Sequence, residues 1–262
     1  MIREVAVVTR KELIDHARER RSVSAALMHV LMGPAVVLLV SFSMAAKSNT
    51  KPGAAVGGMI SIFALVAAFI GGMNVAMDVM AGERERRSLL PLLLNPVPRL
   101  TIVIGKWLAT SVFSIGGVVI TLFAFVVVMK VRAIPSPLFN TSAMLCWGVL
   151  GLLPVAVLAA ALQILISTVC RTAKEAQTYL SFLLFVPMGI AMFLAFFPER
   201  IGAWAVFVPI AGPQAIAGLG IDTGRWPAAQ ACTLALETVW LAVIVIRICG
   251  TLLKRDDIVY AS

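Results

Sequence analysis

Six stretches of the chain are long and apolar enough to cross a bilayer. They run over residues 25–46, 54–77, 102–129, 143–169, 179–197 and 228–250. A helix needs about 20 predominantly apolar residues to cross the hydrocarbon layer. The pattern therefore predicts an all-α integral membrane protein with six transmembrane helices. The spans use most of the chain, so we expect a single transmembrane domain over residues 1–262.

The segment before the first span, residues 1–24, is polar and basic but not uniformly so. Between its charges lie Val5, Val8, Leu13 and Ile14, which recur near helical spacing. This pattern predicts an interfacial leader helix that lies on the inner membrane surface with its apolar side in the interface. The alternative is a solvated basic leader that only sets the topology.

A second unusual segment, residues 198–227, separates spans five and six. It is largely apolar, yet Pro209, Gly212, Pro213, Gly218 and Gly220 interrupt it. We predict a short external re-entrant hairpin here, because irregular backbone survives at membrane depth only where protein covers it or water lines it. An ordinary external surface loop is the alternative.

The distribution of basic residues predicts the orientation. Most of the 22 Lys and Arg residues fall at the two termini and in the loops after spans two and four. The positive-inside rule then places both termini in the cytoplasm, with the chain as a multi-pass protein of the plasma or inner membrane. The net charge of +9 thus lies along a face that anionic lipid attracts. No nucleic-acid partner is expected.

Composition and motifs argue against bond chemistry on this chain. Hydrophobic residues make up 60% and charged residues 13%, which leaves no stretch for a soluble catalytic domain. His16 and His29 are the only histidines, so no zinc hydrolase and no metal site are expected. A phosphate loop is missing. Lys106 follows Gly105, but no glycine lies five residues before Gly105, and Trp107 stands where a Ser or Thr is required. We predict that the chain is not an enzyme.

The loop between spans two and three, residues 79–101, is the most informative segment. Residues 81–99 read A-G-E-R-E-R-R-S-L-L-P-L-L-L-N-P-V-P-R, a charge-dense stretch followed by a Leu-rich helix. Glu83 is spaced to pair with Arg86 or Arg87 on a helix face, and Ser88 is suited to cap the next helix. The leucines must rest on the bilayer, on the bundle or on a partner. Either a docking element or a simple interfacial helix explains them.

This loop, with Gly105 and Lys106 opening the next helix, resembles the signature loop of type-2 ABC transporter permeases. It is most similar to their sodium-extrusion, Nat-type branch. Residues 10–21, R-K-E-L-I-D-H-A-R-E-R-R, also resemble the leader helix of that family. One departure is Leu90, where the family has a glutamate. Another is the short segment 47–53, where many relatives carry a large external domain.

The resemblance implies that the loop carries a coupling helix, held in a cleft of a separate cytoplasmic ABC ATPase subunit. ATP and Mg²⁺ would then bind to that partner, with no cofactor on this chain. The family also implies a dimer, with either a second copy or a paralogous permease, and transport outward. The residues implied to couple to the ATPase are Gly82, Glu83, Glu85, Arg86, Ser88, Leu89, Leu92, Leu93, Pro96 and Arg99.

Three polar residues inside the predicted spans are candidates for a substrate or ion pathway. Glu237 lies near the middle of span six, where a carboxylate is costly and marks a functional site by default. A protonated Glu237 bonded to a neighbouring helix explains it equally well. Gln163 and Asn74 are weaker candidates, since such residues commonly join helices.

The function that this pattern favours is the permease subunit of an ATP-driven exporter. Its cargo would be sodium or another small cation, with a drug, a peptide or a lipid as the other possibilities. The alternative function is a non-transporting membrane anchor or sensor that recruits a soluble partner through the same loop. An ion-coupled secondary transporter would require inverted repeats, and the sequence shows none.

Overall fold

The computed structural model describes residues 2–45, 52–89, 91, 97–132, 147–197, 203–223 and 227–253. Throughout these ranges the regular structure is helical, and no strand occurs in them. The longer helices are α1 (Ile2–Arg18), α2 (Arg20–Ala45), α3 (Pro52–Met77), α4 (Arg99–Arg132), α5 (Leu153–Val169), α6 (Ala173–Phe196), α7 (Gly212–Thr223) and α8 (Ala228–Leu252). Shorter pieces are π-helical turns at Asp78–Gly82 and Trp147–Leu152, a helical turn at Glu83–Glu85 and a 3₁₀ turn at Ala203–Phe207.

Six of these helical stretches are long and apolar enough to cross a membrane, so the prediction of six spans is confirmed. They run over Val23–Phe42, Met59–Glu85, Arg99–Val131, Trp147–Val169, Ala173–Leu194 and Ala228–Leu252. The third, of 33 residues, is longer than the 102–129 predicted from hydropathy. At 1.5 Å per residue it measures about 50 Å, so it extends beyond a hydrocarbon layer of about 30 Å.

The core of the molecule is built around α3. Its side chains Ile60, Leu65 and Phe69 are fully buried and belong to one apolar cluster with residues of α4 and α5. By contrast, α2, α6 and α8 have only 22%, 22% and 28% of their spanning windows buried. The three outer helices therefore leave broad apolar surfaces uncovered, as expected where lipid or a second chain covers them.

A pair of glycines allows α3 and α4 to approach closely. A Cβ atom on Gly71 would lie 2.8 Å from the carbonyl oxygen of Phe113 and 3.3 Å from Cα of Gly117. A Cβ on Gly117 would in turn lie 3.0 Å from Cα of Gly71. Backbone therefore meets backbone at this crossing, as in other membrane helix pairs with small residues at the contact.

The segment predicted as a hairpin contains the 3₁₀ turn and α7 within its described part, 203–223. The side chains from Ala211 to Ala217 are buried, and the indole Nε1 of Trp147 donates to the carbonyl of Pro213 at 2.8 Å. Protein thus covers this irregular backbone. Its re-entrant position in the membrane stays a prediction, and residues 198–202 and 224–226 lie outside the described residues.

The leader segment differs from its prediction in two respects. Residues 1–24 do not form one helix, because α1 ends at Arg18 and α2 already begins at Arg20. Furthermore, the side of α1 that packs on the protein is mixed, because Val8 packs over Gly105 on the same side as the buried residues Glu12 and His16. The apolar side chains of Val7 and Ile14 are exposed at helical positions roughly opposite. An interfacial position for that apolar side stays a prediction.

We expect Gly71→Ala to destabilise the bundle by about 1–3 kcal/mol, because the new methyl group collides with backbone of α4. Gly116→Ala is the matched control, since nothing lies within 4 Å of a Cβ atom at that position. The free energy of unfolding in a detergent titration would measure both. Equal stability of the two variants would contradict the close α3–α4 contact.

Candidate functional site

The candidate site begins where α3 changes its winding near the cytoplasmic end predicted for it. The helix widens into the π turn Asp78–Gly82, of the kind often found at functional sites, and continues as Glu83–Glu85. It then stops at Arg87, whose φ of 57° is left-handed. Residues 83–88 are called the neck below.

Hydrogen bonds at the end of the neck form a Schellman motif. The amide of Ser88 donates to the carbonyl of Glu83 at 2.9 Å, and the amide of Arg87 donates to that of Arg84 at 2.9 Å. The hydroxyl of Ser88 also donates to the Glu83 carbonyl, at 3.1 Å. Ser88 therefore closes the helix before it, and most of the helix that it was predicted to cap lies outside the described residues.

The centre of the site is the side chain of Lys106, which is fully buried in α4. Its Nζ lies 3.0 Å from Glu12 Oε1 and 2.8 Å from Glu83 Oε2, and it donates to the carbonyl of Val79 at 2.7 Å. These partners come from α1, the neck and the π turn. One ammonium group thus joins the leader helix, the end of span two and the start of span three.

A second lysine, Lys11, completes a balanced cluster of two cations and two carboxylates. Its Nζ lies 3.4 Å from Glu12 Oε1 and 3.4 Å from Glu83 Oε1. Burial would by itself raise the pKa of the Glu12 carboxyl, but Lys106 and Lys11 outweigh it and hold that pKa below 4.5. The stabilisation is therefore present above pH 4.5 and is lost as the pH falls through the lowered pKa.

The leader helix can reach this cluster because of Gly105. A Cβ atom there would lie 2.7 Å from Cβ of Val8 and 3.3 Å from the carbonyl oxygen of Val5. The hydroxyl of Thr9 also donates to the Gly105 carbonyl at 3.1 Å. Gly105 and Lys106 act together, since the glycine admits α1 and the lysine binds it.

The neck also holds the connection between α5 and α6. The guanidinium of Arg84 donates to the carbonyls of Cys170 and Thr168 at 2.6 and 2.8 Å, at the C-terminal end of α5. The carboxylate of Glu85 accepts from the amide of Ala173 at 2.8 Å, at the N-terminus of α6. A cation at a helix C-terminus and an anion at an N-terminus both complement the helix dipole.

The remaining charges pair differently from the sequence expectation. Arg86 reaches back to Asp78, with Nη2 2.5 Å from Oδ1, and does not pair with Glu83. The expected pairing of Glu83 with Arg86 or Arg87 is wrong, because the buried ammonium of Lys106 takes that carboxylate instead. Arg99 donates to the carbonyl of Leu253, which joins the start of α4 to the end of α8.

The other predicted coupling residues have varied positions. Gly82 is buried beside the Asp78 carboxylate, and Leu89 is 3% exposed. Glu83 is buried as well, whereas Glu85, Arg86 and Ser88 are exposed. Leu92, Leu93 and Pro96, and with them most of the predicted coupling helix, lie outside the described residues.

The structure does not bring the three pathway candidates together as one site. Gln163 is buried in α5, where its Nε2 donates to the carbonyl of Phe69 while its Oε1 has no hydrogen-bond partner among the described residues. Asn74 is half-buried in α3. Glu237 is exposed on α8, on the side where Leu236 and Trp240 are also exposed.

Sequence reasoning missed the roles of Glu12, Lys106 and Arg84. The available signal was Lys106 itself, since a lysine within an apolar span requires a partner. Glu12 of the leader helix is one of its partners. The pattern of residues within one helix does not show which residue of another helix a side chain contacts.

We expect Lys106→Met to destabilise the protein by about 3–5 kcal/mol, because it leaves two carboxylates buried without their main counter-ion. The same substitution at Lys130, exposed on the same helix, is the control and should have little effect. Unfolding free energies in detergent would measure both. Adding Glu83→Gln to Lys106→Met should recover part of the loss, and strictly additive losses would contradict the pairing.

Comparison with known proteins identifies the family of this chain. The family model described as ABC-2 family transporter protein matches residues 6–257. Among curated proteins, the ABC transporter permease protein NatB of Bacillus subtilis (strain 168) is 36% identical over 132 residues. That match covers 47% of this chain and 33% of NatB, so the chain spans about a third of the length of this relative. The resemblance noted in the loop is thus confirmed. Because the family model covers almost the whole chain, this multi-pass membrane protein belongs to the ABC-2 family of transporter proteins.

Proposed function

We propose that the chain is the membrane-spanning permease subunit of an ATP-driven exporter. It would form the substrate pathway as a dimer and be driven by separate ABC ATPase subunits on the cytoplasmic side. Membership of the ABC-2 family supports this proposal, as does the similarity to NatB, an ABC transporter permease protein. No residue of this chain then needs to hydrolyse ATP.

The observation that carries the proposal is the set of bonds made by the neck. Three consecutive residues reach three separate parts of the bundle: Glu83 binds Lys106 of α4, Arg84 binds the end of α5, and Glu85 binds the start of α6. Through Lys106 the neck also engages the leader helix. A force applied to this loop would therefore be transmitted to four other helices at once, as a coupling element requires.

These contacts divide the loop residues into two groups by their role. Glu83, Arg84 and Glu85 face the bundle and would transmit motion inward. The exposed Arg86 and Arg87, with the Leu-rich segment that follows, are left to contact the ATPase. In this arrangement, substitutions within the first group break coupling, and substitutions within the second break binding.

For the cargo we propose sodium or another small cation, with a drug, a peptide or a lipid as alternatives. Glu237 supports a cation because a carboxylate that faces outward from the middle of a span must meet a proton, a cation or another chain. The unpartnered Oε1 of Gln163 is a second oxygen that a cation can use. Glu237, which is exposed, belongs to the pathway only if the chain works as a dimer whose surfaces meet.

Coupling is tested by purifying the tagged permease in mild detergent and assaying copurified phosphate-loop ATPase protein and ATP hydrolysis. Leu93→Asp should abolish copurification, because it puts a charge on the Leu-rich surface. Glu83→Gln should retain the ATPase but reduce its stimulation by the permease, because it breaks the bond to Lys106. Lys130→Met, at the far end of α4, is the control and should match wild type.

If wild type retains no ATP-binding protein and none can be reconstituted with it, the exporter proposal is overturned. Retention of the ATPase with no cargo movement would favour the membrane anchor or sensor. Loss of the ATPase in Glu83→Gln would show that the buried network serves binding and not transmission.

Cargo is tested by ATP-dependent uptake of radioactive sodium into inverted vesicles that contain the permease and its ATPase. We expect Glu237→Gln to lower uptake about tenfold or more, equivalent to about 1.4 kcal/mol or more of lost stabilisation. Thr233→Val, one turn away on the same exposed side of α8, is the control. Unchanged uptake by Glu237→Gln would exclude Glu237 from the pathway.

A further inference from the structure

Beside the buried ion cluster lies a polar cavity that the proposed transport function does not use. Its volume is about 290 Å³, and it lies between the end of α1 and the π turn after α3. Ten residues line it, among them His16, Glu19 and Asp78. One donor atom from each of these three lies within 4.8 Å of the other two.

We propose that His16, Glu19 and Asp78 bind a divalent first-row transition-metal ion of the Zn²⁺ or Mn²⁺ kind. An imidazole nitrogen with two carboxylate oxygens is a common ligand set for such ions. The two carboxylates neutralise the charge of the ion, while the imidazole binds in its neutral form. This site is independent of the exporter proposal.

The imidazole of His16 is the observation that points to a ligand. The residue is 4% exposed, and its side chain lines the cavity. The closest acidic atom, Glu12 Oε2, lies 3.9 Å from Nε2, which is too far for a hydrogen bond. The ring is therefore directed at the adjoining cavity, where a metal ion can bind one of its nitrogens.

The surroundings of His16 fix its ring where a metal ligand would need it. The ring meets Phe113 edge-on, with centroids 6.3 Å apart and planes at 85°. Glu12 lies one helical turn before His16. A small rotation of the imidazole ring would let its Nε2–H donate to the Glu12 carboxylate and would leave Nδ1 for the ion. Carboxylate–histidine–metal arrangements of this kind set the ring orientation and raise the basicity of the ligand.

The nearby cations leave the three ligands available. Lys11 and Lys106 are engaged by Glu12 and Glu83. Arg86 contacts one oxygen of Asp78, Oδ1, which leaves Oδ2 for an ion. Within the described part of the chain, Glu19 forms no ion pair. Donors around an ion at 2.1 Å are about 3.4 Å apart in a tetrahedron, so closure requires side-chain movements of about 1 Å.

The position of the site gives the ion a structural consequence. His16 and Glu19 belong to the end of α1 and the residue after it, whereas Asp78 opens the π turn of span two. A bound ion would add a second link between leader helix and span two, beside the link through Lys106. Metal binding should therefore hold the leader helix against the neck.

The test uses the full chain, purified through a tag without histidine, dialysed against Zn²⁺ and washed, with metal content measured by mass spectrometry. Wild type should retain one Zn²⁺ per chain, and His16→Ala should retain none. Asp78→Asn and Glu19→Gln should each weaken Zn²⁺ binding more than about tenfold. Loss of a residue that only hydrogen-bonds to a metal ligand already lowers metal affinity by about tenfold or more. Glu19 is exposed, so its variant should fold even if His16→Ala does not.

His29→Ala is the matched control, because His29 is the other histidine of the chain and is exposed on α2. It should bind Zn²⁺ as wild type does. Zn²⁺ should also raise the thermal unfolding midpoint of wild type and His29→Ala but not of Glu19→Gln, since an ion bound to the folded state stabilises it. The proposal is overturned if wild type binds no metal at micromolar free Zn²⁺, or if Glu19→Gln and Asp78→Asn both bind as wild type does.

Discussion

The constraint on which the neck end of this structure depends is the buried ammonium of Lys106. A lysine with no exposed surface inside an apolar helix is too costly to leave unpaired, so its partners must arrive when the fold forms. Glu12 and Glu83 are those partners, and they come from sequence positions 94 and 23 residues away. One cation thereby fixes both the leader helix and the neck against span three.

Such a cluster contributes more to specificity than to stability. Taking charges out of water costs about as much as their attraction returns, so a buried ion pair is weak evidence for a large net stabilisation. The cluster instead destabilises every alternative register of α1 against α4. If α1 turned by one residue, Glu12 would leave Lys106, and the methyl groups of Val8 would lose their place over Gly105. The side of α1 that faces the protein therefore carries Glu12 and His16 together with Val8, whereas Val7 and Ile14 stay exposed on the opposite side.

Hydropathy was sufficient to predict the six spans, because crossing a bilayer is a requirement of each segment by itself. The pairings of the loop were not predictable in the same way. Glu83 and Arg86 have spacing suited to an ion pair, but the choice depends on Lys106, whose position becomes known only when α4 packs on α3. The hydrogen bond from the amide of Ala81 to Ser167 of α5, at 3.1 Å, was equally unpredictable from the sequence. The residues around Ala81 have no pattern that indicates this bond.

The polar bonds between spans also indicate which parts of the bundle move together. Gln163 joins α5 to α3 at Phe69, and Ser167 donates to the carbonyl of Met77 nearer the neck. The indole of Trp107 donates from α4 to the carbonyl of Val157 at 3.1 Å. Bonds at several depths resist both sliding and rotation, so α3, α4 and α5 form a rigid unit with the neck as its extension. The neck is bonded to the start of α6 through Glu85, and Arg99 of α4 is bonded to the end of α8, so these two helices are attached to the same unit at its neck end. The sides of α2, α6 and α8 that this chain leaves uncovered are apolar, so lipid or a second chain has to cover them.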